Sequence, residues 1–307
     1  MNSNPLSSKL EKWKIWQYQD HQHEPWDAQP ACYLTDFILA IQMALNVYKL
    51  YQPHPMQHLH RVWYTLFFAT MGIAAFIGGI LHLYANDLYT ALRHEDSEQL
   101  TLLTKLHIFG YFSVKASRVA LDSYIWLLWR IVLITFGMNA YSLICWTARR
   151  HLPAEKATYV LGGFGLLYFM IVVLALYTMN AVMLLFGSIP ALCFGVHSVI
   201  QAWKRYKVES VLTSDEFERI TTAESDEFRY DRKILLLEGL IYGIFLVSSA
   251  CQAGRVSPSN HYFNHNALSH VLTGVAAHLM LLHYYRSCVL MSTTMSISNT
   301  SKDSKAC

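Results

Sequence analysis

Apolar residues run through this chain in seven long blocks divided by polar stretches. Each block approaches the roughly 20 residues that carry an α-helix across a bilayer. The blocks are Cys32–Leu50, Val62–Ala85, Asp122–Thr147, Ala157–Thr178, Ala181–Ala202, Ile234–Ala253 and Ala267–Leu290. The pattern predicts an all-α, polytopic membrane protein, a seven-transmembrane helix bundle over residues 32–290. A polar, tryptophan-rich tail, 1–31, precedes it, and a disordered tail, 291–307, follows; long loops are expected at 86–121 and 203–233. The third and fifth blocks are continuous apolar runs, whereas the first carries Asp36, Gln42, Asn46 and Lys49. Pro190 predicts a kink in the fifth, of a kind that neighbouring helices tolerate. The first 30 residues lack an apolar core and a small-residue cleavage site, so no cleavable signal peptide is expected.

Composition agrees. Charged residues make up 15% of the chain and hydrophobic ones 53%, against about 25% charged in a typical soluble domain. Two soluble domains of this combined length would lack the charge to cover their surfaces. A net charge of +3 is no nucleic-acid footprint. The six cysteines show no metal-ligand spacing, and Cys145, Cys193 and Cys288 fall in spans, where a thiol acts as a small hydrophobe. Gly162-Gly163-Phe164-Gly165 lies inside the fourth span and predicts close helix packing.

Lys and Arg orient the bundle. The 49–61 turn, the 148–156 turn, the 203–233 loop and the C-terminal tail share one side and hold 15 basic residues, with Arg286 counted in the tail. The other side holds 8. The richer side should be cytoplasmic, which places the N-terminus outside and the C-terminus inside.

Ionisable groups within a bilayer usually face the bundle interior. Glu238 opens the sixth span and is expected to snorkel to the cytoplasmic surface. Arg130 lies eight residues inside the third span, about 12 Å deep at 1.5 Å per residue, with no acidic partner evident at that depth. Of the 15 histidines, His54, His58, His60, His94, His107, His151, His278 and His283 are expected at the interfaces. His82, Asp122 and His270 differ, because topology brings all three to the outer end. His82 shares a helical stripe with Met71, Ala75 and Gly78, and His270 shares one with Thr273, Gly274, Ala277 and Leu281. Imidazoles with a carboxylate are what a zinc ion needs: nitrogen ligands, and an oxygen to orient a ligand or handle the proton of a bound water.

The seventh span begins His265-Asn266-Ala267-Leu268-Ser269-His270-Val271-Leu272-Thr273-Gly274. This resembles the last span of the alkaline ceramidases, in which a His-x-x-x-His pair precedes a similar Val/Ile-Leu-Thr-Gly run. They belong to the CREST superfamily of seven-span, metal-dependent membrane hydrolases, which includes the adiponectin-type receptors. A bacterial branch with a Phe-x-His-Asn…His signature is also similar. The resemblance implies that His82 and Asp122 take the places of the second-span histidine and the third-span aspartate. It implies zinc on His82, His270 and His265, with Asp122 as general base or orienting group. The segment His23-Glu24-Pro25-Trp26-Asp27, with Asp36 beyond it, resembles the acidic calcium-binding lead of those enzymes, which implies calcium near Glu24, Asp27 and Asp36. Two departures stand out. Asn266 occupies the place of the first seventh-span histidine, and Gly78 that of the family serine. His265 is adjacent to Asn266, and it could reach a shared ion if Asn264 or Asn266 caps the helix and leaves it in non-helical backbone.

The resemblance implies zinc-dependent hydrolysis of an acylated lipid entering from the membrane. A non-catalytic, receptor-like or scaffold protein of the same fold is the alternative. A haem-binding redox protein would need histidine pairs near both surfaces, and the inner candidates are His151 and His197. The 86–121 segment carries Leu102, Leu103, Leu106, Phe109 and Phe112, an amphipathic pattern suited to the membrane surface.

Overall fold

The computed structural model describes residues 30–52, 58–93, 114–178, 182–209, 231–254 and 264–304, with side chains over 31–52, 61–83, 127–177, 188–208, 231–252 and 264–289. Seven helices make up the described chain: α1 Pro30–Leu50, α2 His58–Arg93, α3 Val114–His151, α4 Ala154–Thr178, α5 Val182–Glu209, α6 Arg232–Gly254 and α7 His265–Ser304. No strand occurs among the described residues. Six of the helices are long and apolar enough to cross a membrane. The seventh is α5, which contains Pro190 within its length.

Several helices outrun the expected spans. α2 continues to Arg93 and α3 starts at Val114, so both enter the segment expected to be a loop. Residues 94–113, with all of the residues named for the surface-lying pattern, are outside the described residues. α7 continues through Ser304, where a disordered tail was expected from 291. Neither glycine nor proline follows Gly274, so no residue there stops the helix. Elsewhere the ends carry local signals. α1 closes with Tyr51 N–H donating to Tyr48 O and Gln52 N–H to Lys49 O, just before Pro53. Asp231 caps α6, its Oδ1 accepting from the N–H groups of Lys233 at 2.7 Å and Ile234 at 3.1 Å. Asn264 caps α7 by accepting from Ala267 N–H at 3.1 Å. Both use the side-chain oxygen to satisfy donors that the first helical turn leaves open.

The helices form a ring. α1 packs on α2 and α2 on α3; α5 joins α3 to α6, and α7 closes the circuit between α6 and α1. α4 packs against α3 and α5 and is the least buried span, whereas α3 is the most buried. α1 shows the logic of a lipid-solvated helix. Cys32, Asp36, Leu39, Met43, Asn46 and Leu50 form its buried face, and Leu34, Ile38, Ile41, Leu45 and Tyr48 its exposed one. The polar groups point in and the large apolar ones out, as expected where lipid is the solvent.

Small residues set the helix spacing. A Cβ at Gly72 would lie 3.0 Å from Met43 Cβ, and one at Gly79 would lie 3.0 Å from the Phe37 ring. Ala75, Thr273, Ala277 and Leu281 of the two predicted stripes are buried. The glycines of α4 behave otherwise. Gly162 and Gly163 have no heavy atom within 4 Å of an added Cβ, and only Gly165 packs, on Tyr141. The expected close packing of this run therefore reduces to one residue, because α4 turns most of its surface away from the ring.

Arg130 is exposed on α3, so its depth in the span does not bury it in the bundle. Cys145 and Cys288 are buried as expected, but Cys193 is exposed. The tightest glycine contact is Gly195 beneath the Tyr242 ring, which an added Cβ would overlap. Gly195→Ala is expected to destabilise the bundle by about 1–3 kcal/mol through overpacking, read as a lower midpoint of unfolding in mixed micelles. Gly163→Ala, which meets open space, should leave that midpoint unchanged or raise it slightly.

Candidate functional site

Three helices converge at the end that the basic-residue bias assigns to the outside. α1 contributes Thr35 and Asp36 from its first two turns, α2 contributes His82, and α7 contributes His270. Asp36 is 3% exposed and stands between the two imidazoles. Its Oδ1 is 3.3 Å from His270 Nδ1, and its Oδ2 is 3.8 Å from His82 Nε2. The two rings lie 6.5 Å apart by centroids. Gly78 makes room for this carboxylate, since a Cβ there would lie 3.3 Å from Asp36 Oδ2. That oxygen is buried and has no hydrogen-bond partner.

Thr35 adds a second constraint on His270. Its hydroxyl is 2.7 Å from Ala31 O and 2.9 Å from Cys32 O, and 3.2 Å from His270 Nδ1. With its proton given to either carbonyl, Thr35 Oγ1 can only accept from His270 Nδ1–H. That tautomer leaves the lone pair on Nε2. Around this centre α1 is tied to α7 twice more. Cys32 Sγ donates to Asn264 Oδ1 at 3.1 Å, and Gln42 Nε2 donates to Gly274 O at 2.7 Å.

His82 and His270 thus stand together, with Asp36 between them. Asp122 lies on α3, but its side chain is outside the described residues, as are Glu24 and Asp27. Asp36, which the calcium-binding resemblance grouped with those two, faces the histidines. His265 is the first residue of a helix that Asn264 caps. The cap invoked to free it from helical geometry instead leaves it helical, about 140° around the axis from His270. Asn266 is buried and accepts a hydrogen bond from Gln252 Nε2, which directs it to α6. Among the described residues, no group of three or more His, Cys, Asp or Glu side chains is arranged to hold a metal ion.

A second polar cluster occupies the opposite end. Glu238 is fully buried, not extended to the surface as expected. Its Oε1 accepts from Arg150 Nε at 3.1 Å and from His283 Nε2 at 2.8 Å, and its Oε2 lies 3.1 Å from His151 Nε2. His283 Nδ1 in turn lies 2.6 Å from Tyr64 Oη. His151 and His283, expected at the interface, are 8% and 0% exposed. Burial wins over snorkelling because α3 ends where α6 begins, which supplies Glu238 with a guanidinium and an imidazole at its own depth. One signal was available in the sequence: Arg149-Arg150-His151 and Glu238 both fall at the inner end of their spans.

Residues 31–126 match the family described as "Family of unknown function (DUF6962)". That stretch includes Asp36 and His82 and stops short of His270. No curated protein matches the chain, and no solved structure matches it. The chain is an integral membrane protein built as a helical bundle.

Glu238→Ala leaves Arg150 buried without its counter-charge and should cost about 3–5 kcal/mol, read as lost folded fraction in a mixed-micelle titration. The double variant Arg150→Met/Glu238→Met removes both charges and should recover most of that loss.

Proposed function

We propose that this membrane protein is a metal-dependent hydrolase of an acylated lipid, with zinc held at the outer end by His82, His270 and Asp36. One observation carries the reading: a buried carboxylate with an unsatisfied oxygen stands between imidazoles from two other helices. Two nitrogens and an oxygen are donor types that zinc accepts. The present rotamers do not close on one point, and Asp122 is the further carboxylate that the topology brings to this end.

Zinc, when bound, supplies Lewis-acid polarisation of an acyl carbonyl and activation of water near neutral pH. The rest falls to side chains. Thr35 and Asp36 Oδ1 hold His270 with its Nε2 lone pair available, as a carboxylate or hydroxyl partner does for metal-binding histidines. Asp122, outside this ligand set, accepts the proton that water loses as it attacks the carbonyl carbon, and returns it to the departing amine or alkoxide. The centre lies inside the bundle within two turns of the start of α1, so a lipid would present its acyl linkage from the membrane side.

A non-catalytic, receptor-like protein is the second reading. It is favoured by Asn266, bound to Gln252 in the place of a family histidine, and by Gly78 in the place of the family serine.

Protein purified in detergent should carry close to one zinc per chain by elemental analysis and release fatty acid from a ceramide-type substrate. His82→Ala, His270→Ala and Asp36→Ala should each remove the metal and the activity. Thr35→Val, which keeps the shape and loses the acceptor, should weaken zinc affinity about 10–100-fold. Wild-type protein that retains no zinc after loading and dialysis would overturn the reading. Zinc without hydrolysis would select the second one.

A further inference from the structure

The inner cluster lies outside the proposed hydrolytic centre, and its chemistry points to a different ligand. We propose that Glu238, His151, His283 and Tyr64 form a proton-binding centre that opens the inner end of the bundle when it takes up one proton. The hydrogen bonds fix the resting state. Glu238 Oε1 accepts from Arg150 Nε and from His283 Nε2–H, and its Oε2 lies 3.1 Å from His151 Nε2, so it is the ionised carboxylate. With His283 neutral and its Nε2–H given to Glu238, Tyr64 O–H donates to His283 Nδ1. Proton-exchanging groups thus run unbroken from His151, at the last residue of α3, to a phenol enclosed by the rings of Trp146 and Tyr284.

Charge makes this centre a switch. In the resting state Arg150 and Glu238 cancel, and His283 is the neutral imidazole between Glu238 and Tyr64. The groups facing Glu238 are Arg150 and His151 from α3, His283 from α7, and Tyr242 from its own helix. Those facing His283 are Tyr64 from α2, Glu238, Arg150 and His151, with Cys288 near Tyr64. Glu238 is the one anion among them in the resting state. A proton from the inner aqueous phase, taken up by the imidazoles, leaves a net positive charge in a fully buried site. Buried charge without a partner is costly. Proton uptake is therefore linked to entry of water or a counter-ion between α3, α6 and α7.

Trp146 reports on this directly. It is 2% exposed, lies edge-on to His283 at 5.2 Å and stacks on Tyr242 at 6.0 Å. The test is intrinsic fluorescence of the full chain in detergent, titrated from about pH 8 to about pH 5, the range in which histidine changes charge. The Trp146→Phe variant supplies the difference signal. Wild-type protein should show a reversible red shift and loss of Trp146 emission on acidification, with faster hydrogen exchange over 143–151 and 232–240. His151→Gln/His283→Gln should abolish both changes. Glu238→Gln should show the open spectrum at every pH. If that variant does not fold, the double-histidine variant carries the test. An unchanged transition in the double variant, or none in the wild type, overturns the proposal. The readout needs neither zinc nor substrate, so it stands or falls apart from the hydrolase reading.

Discussion

Lipid tails solvate a leucine as well as another leucine does, so a helix bundle in a bilayer gains little by hiding apolar side chains between its helices. What holds it is backbone approach and interior polar contact. Both appear in pairs here. Gly72 admits Met43, and Gly79 admits the Phe37 ring. One turn from the outer centre, Gln42 reaches Gly274 O, and deeper in, Asn139 Nδ2 donates to Phe67 O at 2.9 Å. The two charged clusters are the extreme form of the same economy. Each gathers helices that are remote in sequence around a single carboxylate.

The two carboxylates are handled differently, and the difference lies in their donors. Glu238 is met by a guanidinium and two imidazoles within hydrogen-bond reach. Asp36 is met at longer range by two imidazoles, with one oxygen unpartnered. Each carboxylate leaves one oxygen, Glu238 Oε2 or Asp36 Oδ2, without a hydrogen bond, so the guanidinium is what separates them. Paired with Arg150, Glu238 fastens helices together; flanked by imidazoles alone, Asp36 suits the chemical role proposed for the outer end.

The helices were legible because the signal for a span is long and redundant. Twenty apolar residues outvote one aspartate in α1 or one proline in α5. Boundaries were less so, since polar residues such as those of 291–304 continue a helix when no glycine or proline stops it. His82 and His270 could be paired because alternation of the spans places both at one depth. Asp36 carried a readable signal too, the buried stripe Cys32, Asp36, Leu39, Met43, but the N-terminal acidic segment drew it toward calcium. Glu238 was misread for a definite reason. Its fate depends on whether Arg150 and His151 face it or face solvent, and that is a matter of helix rotation, which hydropathy does not encode.

α4 supplies no side chain to either cluster. It packs on two neighbours, exposes most of its surface, and joins α5 through only three residues, 179–181. Its contribution is one of parity. Each crossing reverses the direction of the chain, so a bundle that lacked α4 would thread α5, α6 and α7 upside down. His270 would then emerge on the opposite face from Asp36 and His82, and Glu238 on the opposite face from Arg150. A helix that touches neither centre decides that both can assemble. Its lipid-facing residues are therefore free to vary with the lipid around them, so long as the chain still crosses once.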